Sequence, residues 1–205
     1  MIPWLSVVIP TVGRDSLELT LASIRAQPES AGVEVLVVAD TYGGMTPALE
    51  DAHQRVLDSG FGWLEHDGGR HCVGQPQRNA GMRAAQAAWT WYLQDDNIAA
   101  PDSLANIEEA IAEQPRARPL FFRFESYWRE IIWRQPVLAM GNIDADCLVF
   151  PRYISEVVEW GMRYEGDFDA ALMAFNRAGG DVGWIDAVVS ISRPATPDHY
   201  WWMAA

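Results

Sequence analysis

Residues 89–97, WTWYLQDDN, join a strand pattern to an acidic turn, and they set the fold class of the chain. The aromatic and apolar run at 89–94 is typical of a buried strand. It stops at two adjacent carboxylates, Asp95 and Asp96, which have no basic neighbour in sequence. In open α/β sheets ligands bind beyond the carboxyl ends of strands, and hard divalent cations take oxygen ligands. The stretch therefore predicts a cation site at one edge of a sheet.

The segments before this strand alternate between strand and helix patterns. Mostly apolar runs predict buried strands at residues 5–10 and 33–39 and a shorter strand at 61–65. Leu17, Leu21 and Ile24 recur at helical spacing and predict the first helix. Two further helices are predicted at residues 46–60 and 76–88. This order predicts an α/β fold whose mixed, mostly parallel sheet carries helices on both faces.

The second half of the chain is less regular but continues the same alternation. A helix is predicted at residues 101–113, where Asp102 is a candidate cap, and further helices at 154–161 and 168–179. The remaining apolar runs predict strands at residues 120–124, 145–150, 182–185 and 188–192. A chain of 205 residues without repeats or linkers is expected to form one domain, 1–205.

Composition excludes several classes of function. The formal net charge is -13, which argues against direct binding to nucleic acid. All fifteen basic residues are Arg, because the chain contains no Lys. Walker-A phosphate binding and Schiff-base chemistry both need a lysine, so both are excluded. The GxGxxG fingerprint of dinucleotide-binding proteins is also absent after the first strand.

Cysteine usage and hydropathy indicate where the protein works. Cys72 and Cys147 stand alone without a CxxC pair, which favours reduced thiols over a disulfide or zinc framework. No leader segment is visible, and no apolar run reaches the roughly 20 residues that span a bilayer. We therefore expect a cytoplasmic protein without stable membrane insertion.

Three groups of polar residues stand at strand or helix ends in the first half. Asp95 and Asp96 form either a helix-capping turn or a cation site. Asp40 ends the strand at 33–39 and is either a turn cap or a group facing the same crevice. Arg78 and Asn79 at a helix start either form a solvated first turn or present a guanidinium and an amide to a phosphate or base.

In this order the motifs resemble those of family 2 glycosyltransferases, which have the GT-A nucleotide-sugar fold. The opening strand LSVVIPT (5–11) and VEVLVVAD (33–40) resemble the first two strands of that family. GQPQRNAGMRAA (74–85) resembles its Arg-Asn-x-Gly segment, and YLQDDNIAAPDSL (92–104) resembles the segment that holds its DxD motif. The resemblance implies a GT-A-type, Rossmann-like sheet, with residues 1–100 as the nucleotide-sugar half and 101–205 as the acceptor half.

The resemblance also implies roles for particular residues near the donor. Pro10 and Thr11 would end the first strand beside the nucleotide, Asp40 would contact the base, and Arg78 would lie near the nucleotide. Asp96 would bind the Mn²⁺ or Mg²⁺ ion on the donor diphosphate, and Asp95 would assist it or contact the ribose. Gln94 stands where the family has the first acid of DxD.

Two further residues are implied on the acceptor side. YEGDFDAALMAFNRAGGDVGWID (164–186) resembles the family segment that supplies the catalytic base, and Asp167 keeps that position although Gly166 replaces the preceding Glu. Without the resemblance, the residues alone favour Asp167 as the N-cap acid of the helix that follows it. His199 would complete the metal site, or it is an exposed tail histidine.

The expected function is a metal-dependent, inverting glycosyltransferase. Its donor would be a UDP- or GDP-sugar and its acceptor a hydroxyl group of unknown identity. A nucleotidyltransferase is an alternative, although TVGRD at residues 11–15 offers only Gly13 and Arg14 as a phosphate loop. A non-catalytic nucleotide-sugar-binding module on a decayed transferase scaffold is another, because Gln94 and Gly166 both replace acids.

Overall fold

Strands and helices alternate strictly through the first half of the chain in the computed structural model, which describes residues 2–69, 74–161 and 165–194. The elements in chain order are β1 Leu5–Thr11, α1 Leu17–Arg25, β2 Val33–Asp40, α2 Pro47–Asp58, β3 Gly62–His66, α3 Gln75–Ala84 and β4 Trp89–Tyr92. Every strand and helix predicted up to Tyr92 is present, with ends moved by a few residues.

The second half contains shorter strands and two short helical turns. Its elements are β5 Asn97–Ala99, α4 Ser103–Ala112, β6 Leu120–Glu125, β7 Ile131–Ile132, β8 Leu148–Pro151, α5 Arg152–Ser155, α6 Gly166–Arg177 and β9 Gly183–Ser192. The segments Pro28–Gly32 and Ala145–Cys147 are 3₁₀ helices. No helix of the described residues is long and apolar enough to cross a membrane.

All the described strands join one mixed sheet. Its order is β3-β2-β1-β4-β8-β6-β9-β5, with β7 paired to β6 alone. The first four strands are parallel neighbours, whereas β8 runs antiparallel to both β4 and β6. The predicted α/β class, with a mixed and largely parallel sheet, is confirmed. Because β1, β2 and β4 run in parallel, their carboxyl ends meet at one edge.

Helices cover both faces of the sheet, as the alternation in β1 shows. Leu5, Val7 and Ile9 pack in the core that α1, α2 and α4 cover. Val8 points the other way, into the core formed with α3 and α6. Because β1 is buried on both faces, its sequence is mostly apolar, and its buried Ser6 donates a hydrogen bond to Glu34.

Several local predictions in the second half are wrong. Asp102 precedes α4, but its side chain makes no capping bond and its φ is 58°. The strand predicted at 145–150 begins as a 3₁₀ turn. The helix predicted at 154–161 is only the short turn α5. The strands predicted at 182–185 and 188–192 form one strand, β9. The short strand β5 was not predicted, because three residues carry no readable periodicity.

Gly81 lets α3 approach the sheet closely. A Cβ atom at this position would overlap the Val8 side chain of β1 and press on Val38 of β2. We expect Gly81→Ala to lower the free energy of unfolding by about 1–2 kcal/mol, because overpacking outweighs the gain in helix propensity. Urea denaturation measures this change in the free energy of unfolding. Ala84→Gly, at an exposed position of the same helix, gives the reference for helix propensity. An unfolding midpoint at or above the wild-type value would contradict the close packing.

Candidate functional site

A cleft of about 290 Å³ opens at the edge where the parallel strands end. Five residues predicted to bind the nucleotide line it together: Pro10, Thr11, Asp40, Arg78 and Asp95. A larger cavity of about 460 Å³ lies between α3 and α5 and includes Thr90 at the start of β4. Asn79 is the one candidate site residue that lines that cavity. In open α/β sheets ligands bind at the carboxyl ends of strands, so the smaller cleft is the candidate site.

Asp95 is tied to the end of β1. Its Oδ2 accepts a hydrogen bond from Thr11 Oγ1 at 2.7 Å, and its Oδ1 accepts one from Arg14 Nη1 at 2.9 Å. Burial raises the pKa of this carboxyl, while Thr11 and Arg14 oppose the shift. These contacts fix the loop after β1 against the turn after β4.

Asp96 lies between two guanidinium groups, both of which pair with its Oδ2. Its Oδ2 is 3.2 Å from Arg14 Nη1 and 3.0 Å from Arg193 Nε. Its Oδ1 is buried and has no hydrogen-bond partner among the described residues. A buried carboxylate oxygen without a partner is costly, so Asp96 Oδ1 fits a hard cation as a ligand.

The described residues do not form a complete metal cage by themselves. No group of three His, Cys, Asp or Glu side chains within them could hold an ion. Mg²⁺-like ions at phosphate sites are often held by one or two carboxylates together with substrate phosphates, which a single available oxygen suits. His199, predicted as a further ligand, lies outside the described residues.

Asp40 and Arg78 both line the cleft, whereas Asn79 does not. Asp40 Oδ1 accepts from the Tyr42 amide at 3.0 Å. The Arg78 guanidinium lies 5.1 Å from the Trp160 ring centroid. Asn79 bonds the Trp160 backbone with both ends of its amide, at 3.1 and 2.8 Å. Its amide is therefore occupied in packing, contrary to the possibility that it binds a phosphate or base.

Gln94 has a structural reason to replace the first acid of the DxD motif. Its Nε2 donates to Asp144 Oδ1 at 3.0 Å, and its backbone amide donates to Asp146 Oδ1 at 3.2 Å. Asn97 Nδ2 donates to Asp146 Oδ2 at 2.5 Å. An aspartate at position 94 would place a third carboxylate in this buried group, whereas the amide supplies a donor.

Asp144 and Asp146 are site residues that sequence reasoning missed. They form a literal Asp-x-Asp pair just before β8. The spacing is visible in the sequence, but the apolar run at 145–150 predicts a strand that includes Asp146 and hides the pair. Burial first, and then the Asp167 charge, raises the pKa of Asp144 to about 6; burial and Asp144 raise the pKa of Asp146 as well.

The raised pKa of Asp144 predicts that stability falls as the pH rises. The folded state holds this proton up to about pH 6, whereas an unfolded Asp releases it near pH 3.9. The stabilising protonation is complete below pH 3.9 and lost by pH 7, a difference of about 3 kcal/mol. Urea denaturation at pH 4.5 and at pH 7 measures this loss. Between these two pH values the free energy of unfolding should fall less in Asp144→Asn than in the wild type. Equal losses in both proteins would contradict a buried acid at Asp144.

A hydrogen-bonded chain connects Asp167 to the cleft. Asp167 lies in the first turn of α6, and Gln75 Nε2 is 3.4 Å from its Oδ1. The other end of the Gln75 amide accepts from Arg78 Nη1 at 3.1 Å. A Cβ at Gly166 would come within 2.6 Å of Gln75 Nε2 and of the Gly161 carbonyl, so this close approach explains the glycine.

Four tryptophans of the second half are candidates for stacking on a sugar ring, and they differ in what they can contact: Trp128, Trp133, Trp201 and Trp202. Trp133 is buried against Trp184 and donates to the Phe121 carbonyl at 3.2 Å, so it belongs to the core. Trp128 is 77% exposed and packs edge-on against Tyr127. Trp201 and Trp202 lie outside the described residues.

Comparison with known proteins identifies the relatives of this fold. The sequence of residues 6–143, more than half of the chain, matches the model of the family described as glycosyl transferase family 2. No curated protein matches the sequence. The family match runs from the second residue of β1 to beyond β7 and includes the Asp95-Asp96 turn, and it ends one residue before Asp144.

Solved structures with the same fold are similar over nearly all of this chain. One is residues 1–349 of S. aureus TarS in complex with UDP-GlcNAc, at TM-score 0.73 and 13% identity, with 96% of this chain and 60% of that chain covered. A second is the mannosyltransferase PcManGT from Pyrobaculum calidifontis with GDP-Man and Mn²⁺, at TM-score 0.68 and 19% identity, with coverage of 98% and 60%.

A third similar structure is glucosyl-3-phosphoglycerate synthase from Mycobacterium tuberculosis with Mn²⁺, UDP and phosphoglyceric acid. Its TM-score is 0.69 at 13% identity, and 96% of this chain and 72% of that chain are covered. The chain thus spans about 60% of the length of the TarS fragment and of PcManGT. At these identities the similarity concerns the fold.

Proposed function

This chain belongs to glycosyl transferase family 2, and we propose that it transfers a sugar from a UDP- or GDP-sugar to a hydroxyl acceptor with inversion and with the help of Mn²⁺ or Mg²⁺. The observation that carries the proposal is the cleft at the carboxyl ends of β1, β2 and β4. Residues that the sequence assigns to nucleotide binding converge there from four separate segments. Similar structures hold UDP-GlcNAc, or GDP-Man with Mn²⁺, which supports a nucleotide-sugar donor.

On the donor side, each wall of the cleft offers a different kind of contact. Asp40 would accept an N–H of the base, since uracil and guanine both present one. Arg78 would donate to the nucleotide from the start of α3. Asp95, held by Thr11, would contact the ribose or assist Asp96, whose free Oδ1 would bind the cation. When bound, the cation supplies positive charge that stabilises the departing diphosphate.

On the acceptor side, Asp167 would accept the proton of the attacking hydroxyl. A carboxylate placed on the face opposite the leaving group makes the displacement inverting, because the hydroxyl attacks from that side. Gln75 orients Asp167 and joins it to Arg78, so the base would be positioned relative to the bound donor.

We propose that the domain divides into a donor half and an acceptor half. Residues 1–100 would provide most of the nucleotide-sugar site, and residues 101–205 would provide the acceptor side in the same domain. The placement of Trp128 supports this division. Strand β6 runs parallel to β4, since both pair antiparallel with β8, so the loop after β6 leaves the sheet at the edge of the cleft.

The test is a screen of UDP- and GDP-sugars for hydrolysis and transfer, with and without Mn²⁺. Metal-dependent release of a nucleoside diphosphate supports the proposal. Release of pyrophosphate would indicate a nucleotidyltransferase instead. Tight binding of UDP or GDP with no hydrolysis, and no transfer to any acceptor tried, would leave the non-catalytic module as the function.

A further inference from the structure

Two arginines from opposite ends of the chain form ion pairs with Asp96, the carboxylate that we assign to the cation. Arg14 follows β1 and contacts both Asp95 and Asp96 through Nη1. Arg193 follows β9, and its backbone amide is anchored to the Asp96 carbonyl at 3.1 Å and to Asn97 Oδ1 at 3.0 Å. Both guanidinium groups therefore converge on one short turn from elements that are far apart in sequence.

Both side chains are also open to the cleft. The side chain of Arg14 is 50% exposed and that of Arg193 is 63% exposed, whereas that of Asp96 is 14% exposed. Both arginines line the cleft beside Asp95. Partly exposed ion pairs contribute little to stability, commonly below about 1 kcal/mol, so a stronger anion can displace them at small cost.

A diphosphate in the cleft is such an anion. It carries more charge than one carboxylate, and guanidinium groups donate to phosphate oxygens through their planar fork of N–H groups. The chain has no lysine, so arginine is the only permanently charged side chain available for this contact. Arg14 and Arg193 both line the cleft, and they contact the acidic turn at its edge: Arg14 through Asp95 and Asp96, and Arg193 through Asp96.

We propose that Arg14 and Arg193 bind the donor diphosphate and occupy Asp96 until it arrives, so that a nucleoside diphosphate and a divalent cation bind cooperatively. The inference rests on the proposed function. In the free protein, two positive charges beside Asp96 oppose a cation. When the diphosphate draws them away, the arginines no longer compensate the negative charge of Asp96, and this charge can attract the metal. Such coupling is reciprocal, so the metal strengthens nucleotide binding by the same factor.

The test uses the double variant Arg14→Gln/Arg193→Gln of the whole chain and isothermal titration. With EDTA present, its affinity for UDP or GDP should fall roughly tenfold, while its affinity for uridine or guanosine stays unchanged. Mn²⁺ alone, followed by electron paramagnetic resonance, should bind roughly tenfold tighter than to wild type. Arg116→Gln is the matched control, because Arg116 forms an exposed ion pair with Asp181 away from the cleft.

Each outcome separates the inference from the proposed function. If wild type binds nucleoside diphosphate with Mn²⁺ but the variant keeps its metal-free affinity, the arginines do not hold the diphosphate and the inference alone is overturned. If wild type binds neither UDP nor GDP under any condition, the proposed function falls, and the inference with it. If the double variant does not fold, Arg193→Gln alone should show the same changes at smaller size, and unchanged affinities there overturn the inference.

Discussion

Replacing Asp96 with Asn is expected to reduce Mn²⁺-dependent sugar transfer by at least about a hundredfold while the protein stays folded. A bound cation would stabilise the leaving diphosphate by several kcal/mol, and each 1.4 kcal/mol corresponds to a factor of about ten in rate. An Asn amide retains one weak oxygen ligand but loses the negative charge. The fold should survive because Asp96 is paired only with half-exposed arginines.

The measurement is the transfer rate over a Mn²⁺ series, alongside Mn²⁺ affinity in the presence of UDP or GDP. The control is Asp102→Asn, which removes a nearby negative charge at an exposed position without side-chain cap bonds. Asn also tolerates the φ of 58° found there. Wild-type rates in Asp96→Asn at every Mn²⁺ concentration would remove Asp96 from the metal site.

The first four strands and their helices could be predicted because local sequence determines them. Each strand is mostly apolar. Helix α2 begins directly after its N-cap Thr46, whose side chain accepts from the Leu49 amide at 3.2 Å, as expected of Thr followed by Pro at a helix start. Parallel order then follows from alternation, and parallel strands bring their carboxyl ends together. Asp40 and Asp95 could therefore be placed at one edge without any knowledge of their contacts.

The ionic partners of the acids could not be predicted, because they depend on distances across the chain. Arg193 follows the last strand and reaches Asp96 only because β9 pairs with β5, directly after the acidic turn. Gln94 looked like a lost metal ligand. It is instead a donor to Asp144, a buried acid 50 residues away. A substitution within a motif has meaning only through such partners, and they become visible with the fold.

Replacing Asp167 with Asn should lower kcat for transfer by about a thousandfold, within the range that general bases contribute, and leave donor affinity unchanged. The Asn side chain keeps an oxygen for Gln75 Nε2, so the link to Arg78 and the start of α6 should persist. The measurements are kcat and KM with the best acceptor found, and UDP or GDP affinity by titration. Glu165→Gln removes a charge two residues away at an exposed position and serves as the control.

Two results would distinguish a base from a residue that only supports the fold. A base acts on the acceptor proton, so Asp167→Asn should lose transfer while binding nucleotide and Mn²⁺ as wild type does. A positioning role would instead raise KM for the donor, because Gln75 and Arg78 would shift together. Full transfer activity in Asp167→Asn would exclude it as the base. Asp144 would then be the next carboxylate to test, since its charge interacts with that of Asp167.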